Sequence, residues 1–195
     1  MSEDKESEQP NLDPFCPALV STFTCLTRLV IAHQTVNTQF SSDLPTLVSL
    51  CFEGCTLSTP LDAFTTLTQL NIMECEFNAQ VIFPTSLGDL FVEDASNASF
   101  GNTLELTRLT ELYLRHLSGP FFPDDTPPSL DLSPLTQLRA VTLDIHAHIT
   151  VPTSLRFIEI TPNTDLDLSS IPELWCLRIV RCRHAKITPP PVIHQ

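Results

Sequence analysis

Two short phrases hold the residue types that ligate metal ions, His146-Ala147-His148 and Cys182-Arg183-His184. On an extended chain, residues two apart face the same side, so each phrase would aim two ligands in one direction. Asn163 and Asp165 fall between them. In the repeat described below the two pairs lie two rungs apart, roughly 10 Å at about 4.8 Å per strand. One tetrahedral zinc cannot span that gap. The phrases therefore read as inward-facing polar intrusions in the late repeats, and no metal is assigned. No catalytic phrase is present either. With 4 glycines, the chain has no GxGxxG, no P-loop and no GxSxG. Carboxylates and histidines are plentiful, but none are paired at a spacing that forces acid–base chemistry. The sequence predicts a non-enzyme with no cofactor.

A denser set has a different chemistry. Glu53, Met73, Glu74, Asp89, Phe91, Glu93, Asp94, Glu111, Tyr113, Arg115 and His116 recur at places that a strand would turn outward. Aromatic anchors inside a charged rim form the kind of patch that takes another protein. The excess of acids favours a basic protein or peptide, steered by charge. The plainer alternative is a solvated sheet face in an acidic protein. Another reading is a structural unit that self-assembles, through its ends or through its acidic half against the stretch from Arg178 to Lys186. A regulatory subunit of a larger complex fits the same residues. Nothing in the pattern demands an oligomer.

The elements that position these residues come from one phrase, L-x-x-L-x-Φ-x-x-(C/N/small). It starts at Leu26, Leu47, Leu67, Leu87, Leu109, Leu138, Leu155 and Leu174, at spacings of 21, 20, 20, 22, 29, 17 and 19 residues. Its fourth and sixth places alternate with exposed ones, the period of a strand with one buried face. Places one, four, six, nine and eleven point inward. In the second unit these are Leu47, Leu50, Phe52, Cys55 and Leu57, and in the third Leu67, Leu70, Ile72, Cys75 and Phe77. Places three, five, seven and eight point outward and carry the acidic, aromatic set. Units enter alternately through Φ-T-x-L (Phe64-Thr65-Thr66-Leu67) and Φ-P-T (Leu44-Pro45-Thr46-Leu47), so the early period is a doublet.

These eight phrases resemble leucine-rich-repeat proteins, whose consensus is L-x-x-L-x-L-x-x-N/C-x-L at 20 to 29 residues per unit. The Pro-Thr-Ser-Leu entries at 84–87 and 152–155 are similar to short protist-type repeats. The resemblance covers residues 20–187. It implies a leucine-rich-repeat solenoid of about eight β/α-β units, with a parallel sheet on a concave face. Because 17 prolines fix φ along the chain, the convex segments are expected to be short, extended or 3₁₀, with little α-helix.

Composition bounds the rest. The net charge of −13 is uneven: residues 15–105 hold nine acids and one base, Arg28, whereas residues 106–195 hold nine acids and eight bases. Nucleic acid is a poor partner for so negative a surface. No apolar run approaches the roughly 18 residues of a membrane span, and the start of the chain lacks a signal pattern. A cytoplasmic protein with no membrane partner is expected. Seven cysteines, an odd number without a CxxC pair, read as reduced and structural, three of them (Cys55, Cys75, Cys182) at the ninth place. The sequon Asn97-Ala98-Ser99 then reads as an accident of composition. Domain boundaries are placed at 1–13 (disordered acidic tail), 14–187 (solenoid, with an N-terminal cap at 14–25) and 188–195 (Pro-rich tail). The pattern breaks once, at 118–134, where Phe121 and Phe122 lie in a degenerate convex loop or a contact loop.

Overall fold

The structure, a computed structural model, describes residues 23–36, 44–58, 60–97, 105–117, 129–145, 148–160, 165–169, 171, 174–180 and 187–188. Eight strands form one parallel sheet: β1 (Arg28–Ala32), β3 (Ser49–Glu53), β5 (Gln69–Met73), β7 (Asp89–Glu93), β8 (Glu111–Arg115), β10 (Ala140–Leu143), β12 (Phe157–Ile160) and β14 (Cys176–Ile179). They follow one another in chain order across the sheet. Each begins two residues after a repeat leucine, so the register read from the sequence holds through all eight units.

The return limbs are also strands. β2 (Thr35–Val36), β4 (Thr56–Leu57) and β6 (Glu76–Phe77) form a second parallel sheet, which Ser96 extends through a bridge to Glu76. β9 (Ser129–Asp131), β11 (His148–Thr150), β13 (Asp165–Asp167) and β15 (Ile187–Thr188) form a third. No α-helix occurs among the described residues, and none of their segments forms a helix long and apolar enough to cross a membrane.

This overturns the leucine-rich-repeat assignment. That architecture alternates strands with helical limbs, whereas here the described parts of the limbs are strands, turns and extended segments without α-helix, and all sheets are parallel. The chain is a purely β-stranded solenoid. The physical reason is that the repeat phrase specifies a strand and the corner after it, which both architectures need, and leaves the return path open. Here the return is closed by β-turns. Leu47 N–H donates to Leu44 O at 3.2 Å, Leu67 N–H to Phe64 O at 3.1 Å and Leu155 N–H to Pro152 O at 3.2 Å. Such a turn tolerates the Pro of Φ-P-T, and the low helix content expected from the prolines is met.

The hydroxyl just before the repeat leucine joins the coils. Thr46 donates to Leu26 O at 2.9 Å, Thr66 to Leu47 O at 2.9 Å, Ser86 to Leu67 O at 2.6 Å and Ser154 to Leu138 O at 2.8 Å. Each bond satisfies a carbonyl of the preceding rung, which gives a role to the Thr or Ser before the leucine in the Φ-P-T entries and to Thr66 among the Φ-T-x-L entries.

Inside, the predicted places are filled as expected. Leu47, Leu50, Phe52, Cys55 and Leu57 are buried, as are Leu67, Leu70, Ile72, Cys75 and Phe77. The later coils depart by one residue. In β11 it is Ile149 that is buried while His148 is exposed, so His148 does not take the inward place assigned to it. Four residues separate β10 from β11, where two separate β3 from β4, and the longer corner shifts the phase of the second strand. The last long strand is poorly covered: all four residues of β14 are exposed, with Leu177 at 38% and Ile179 at 41%. Segment 1–13, most of the expected cap at 14–25, residues 118–128 with Phe121 and Phe122, and His146, Asn163, Cys182, His184 and 189–195 lie outside the described residues.

Candidate protein-interaction face

Parallel pairing in register stacks like places of successive coils above one another. On the outer face of the long sheet the fifth place runs Val30, Cys51, Asn71, Phe91, Tyr113, Thr142, Glu159 and Arg178. The seventh runs Ala32, Glu53, Met73, Glu93 and Arg115. Glu53, Glu74, Asp94, Glu111 and His116 are exposed; Met73, Asp89, Phe91, Glu93, Tyr113 and Arg115 are half-buried. The face is that of a β-solenoid sheet, which replaces the concave leucine-rich-repeat surface expected from the resemblance.

Neighbouring rungs convert this set into a built cluster. The Phe91 and Tyr113 rings stack with centroids 4.1 Å apart and planes 9° from parallel. The Tyr113 hydroxyl donates to Glu93 Oε1 at 3.2 Å and accepts from Arg115 Nη1 at 2.8 Å. Arg115 also lies 3.8 Å from Glu93 Oε1. Burial, aided by the Glu93 carboxylate, pushes the Tyr113 phenol above its ordinary value, while Arg115 opposes the shift. The Tyr113 hydroxyl in turn leads the effects that raise the Arg115 guanidinium, with Glu93 and Asp144 adding to it. At the rim, Asp89 accepts from Thr110 Oγ1 at 3.1 Å and from Gln69 Nε2 at 3.3 Å.

His116 sits between two carboxylates, with Nδ1 3.1 Å from Asp94 Oδ1 and Nε2 3.4 Å from Asp144 Oδ2. A ring that meets carboxylates through both nitrogens donates to both only as imidazolium. Asp144 was absent from the set read off the sequence. The 28 residues that separate it from His116 hide the fact that their coils are adjacent. Glu93, Asp94 and His116 offer ligand atoms within 4.8 Å of one another, a spacing that could hold a cation. They already meet Tyr113, Arg115 and Asp144, and no metal is assigned. Glu111 and Glu74 stand apart from these networks and contribute charge alone. One outward place behaves differently: Cys51 is buried, and burial and Glu53 hold its thiol above the ordinary value. Behind the face, the backbone N–H of Cys55 donates to Cys75 Sγ at 3.4 Å. Cys75 is held protonated there, pushed up by its hydrogen bond with Cys55 and by burial.

The corner after each long strand supports the face. The eighth place is left-handed in five successive coils, with φ of 53° at His33, 59° at Gly54, 53° at Glu74, 51° at Asp94 and 49° at His116. Each of the first four N–H groups donates to the next coil, as Glu74 N–H does to Glu93 O at 3.0 Å. Glycine is used once, where a β-carbon would fall 2.5 Å from the His33 ring. The other four residues bear the cost of the left-handed conformation, about 1 kcal/mol each. Glu74→Gly is therefore expected to stabilise the fold by about 1 kcal/mol in urea denaturation, with Glu74→Ala giving no such gain.

Compared with known proteins, the sequence matches no family model and no curated protein.

Proposed function

We propose that this chain is a non-enzymatic interaction module that takes a basic protein or peptide on the acidic, aromatic face of its long sheet. A solenoid surface can mediate protein contacts in general. The observation that carries the specific reading is the Phe91–Tyr113 stack, half-buried between Asp89 and Glu111 on one side and Glu93 and Asp94 on the other. Two flat rings fixed by a parallel ladder lose little freedom when a partner covers them. The surrounding carboxylates attract cationic side chains, and exposed Glu53 and Glu74 extend the negative field across two more coils. Only part of the ring area remains to be covered, and Arg115 already offsets Glu93. Recognition is thus expected to be modest in affinity and sensitive to salt.

The test uses an array of Lys- and Arg-rich peptides against the whole chain. Peptides that bind should weaken at least about tenfold with Phe91→Ala/Glu93→Lys, equivalent to about 1.4 kcal/mol, and should weaken as salt rises. Asp62→Lys, an exposed substitution away from this sheet, should leave them unchanged. Equal affinities for the wild-type protein and the double variant sink the proposal. Binding that disappears only when the chain is diluted, with light scattering rising with concentration, favours self-assembly instead.

A further inference from the structure

The ninth place of the repeat carries a thiol in two successive coils, Cys55 and Cys75, between Gln34 in the coil before and Ala95 in the coil after. Register is fixed on both sides of that place. Glu53 pairs with Met73 before the corner, and Thr56 pairs with Glu76 after it. Gly54 N–H donates to Met73 O at 2.9 Å, and Glu76 N–H donates to Cys55 O at 2.9 Å. Cys55 and Cys75 are therefore stacked one rung apart, about 4.8 Å. A disulfide needs α-carbons about 4.4–6.8 Å apart and β-carbons that do not point away from each other. Both side chains are buried and both point into the coil.

The sulfurs already interact. Cys75 Sγ leans across the rung and accepts the backbone N–H of Cys55 at 3.4 Å. Main-chain carbonyls steady both groups, with Met73 O 3.2 Å from Cys75 Sγ, and Ile31 O and Glu53 O 3.3 and 3.4 Å from Cys55 Sγ. A hydrogen bond between the two thiols holds Cys55 below the ordinary thiol value and, together with burial, Cys75 above it. Nucleophile and proton donor are thus set apart within one pair. The other described thiols lack such a partner. Cys51 lies opposite Val30 and Asn71, Cys176 opposite Phe157, and Cys25 is exposed in the first coil.

From this geometry we infer that Cys55 and Cys75 form a site of reversible oxidation, whose disulfide fastens the second coil to the third. The co-reactant is a hydroperoxide. The Cys55 thiolate attacks its terminal oxygen, the O–O bond breaks, and the alkoxide that leaves takes up the proton Cys55 released. Cys55 is then a sulfenic acid, oxidised by two electrons. The Cys75 sulfur attacks the Cys55 sulfur, the S–S bond forms as the S–O bond breaks, and hydroxide leaves with the Cys75 proton as water. Two thiols and one hydroperoxide become a disulfide, an alcohol and water. Half-buried Gly54 and Thr56 flank Cys55, and exposed Glu74 and Glu76 flank Cys75, so a small oxidant has only the corner to cross. The bond spans 20 residues of chain and restricts the unfolded state more than the folded one.

The test treats the whole protein with hydrogen peroxide, then alkylates it with iodoacetamide in denaturant. Peptic peptides should join Cys55 to Cys75, and dithiothreitol should release them. The urea midpoint should rise on oxidation and return on reduction. Cys75→Ala should remove both the cross-link and the shift, and alanine already fills this place at buried Ala95. Cys55→Ala serves if that variant does not fold. Cys51→Ala should keep the cross-link and the shift. Peroxide that leaves both thiols open to alkylation, stops at a sulfinic acid on Cys55, fails to raise the midpoint, or raises it equally in Cys75→Ala would overturn the assignment.

Discussion

Phe52→Ala is expected to destabilise the protein by about 3–5 kcal/mol, seen as a lower urea midpoint with little change in slope. Phe52 lies in β3, 0% exposed, with Ile31 of β1 on one side and Ile72 of β5 on the other. Truncation removes the ring from both interfaces at once, and the parallel ladder on either side prevents the backbone from collapsing into the gap. Domains are typically stable by only about 5–15 kcal/mol, so one ring in one coil is a large fraction of the whole. Phe23→Ala, at a ring 54% exposed, is the matched control and should cost under about 1 kcal/mol. A small loss at Phe52 would mean that the second and third coils do not stack as described.

The second large effect separates length from register. Deleting residues 67–86, which span one repeat interval, should leave a folded and shorter solenoid. Deleting Asn71 alone should abolish cooperative folding. The pairings Ser49↔Gln69 and Gln69↔Asp89 both step by one coil, so removal of that coil brings β3 against β7 in the same phase. Phe52 then meets Val92, Cys55 meets Ala95, and Thr66 still precedes a repeat leucine. Loss of a single residue instead turns the remainder of β5 over, placing buried Ile72 outward and half-buried Met73 inward. Far-UV circular dichroism and thermal melts read both outcomes. A cooperative melt for the Asn71 deletion, or none for the twenty-residue deletion, would contradict the fold.

These expectations show what the sequence could carry. The eight repeat leucines locate every long strand, because alternation within L-x-x-L-x-Φ and a small ninth residue specify a strand and its corner. The return limbs were not legible. Short strands such as Thr56–Leu57 and Glu76–Phe77 contribute one inward residue each, too few to show a period of two. The same Leu57 and Phe77 suit a strand or a helical limb equally, so the phrase pointed to an architecture that the limbs do not share. His148 was misplaced for a related reason, since a longer corner changes phase without changing the phrase. Alternation did bring Glu93, Phe91, Tyr113 and Arg115 to one face. The Tyr113 bridge, the burial of Cys51 and the Asp144 partner of His116 depend on lateral neighbours about twenty or more residues away.

The thin covering of β14 has its own consequence. In a stack each inner rung is held by two neighbours, while an end rung is held by one. At β14 the inward Leu177 and Ile179 already meet water. Among the described residues β14 is the last rung of the long sheet, so loosening that starts there reaches β12 and β10 before it touches β7 and β8. The Phe91–Tyr113 pair, on β7 and β8, therefore sits at least three rungs in from this exposed edge.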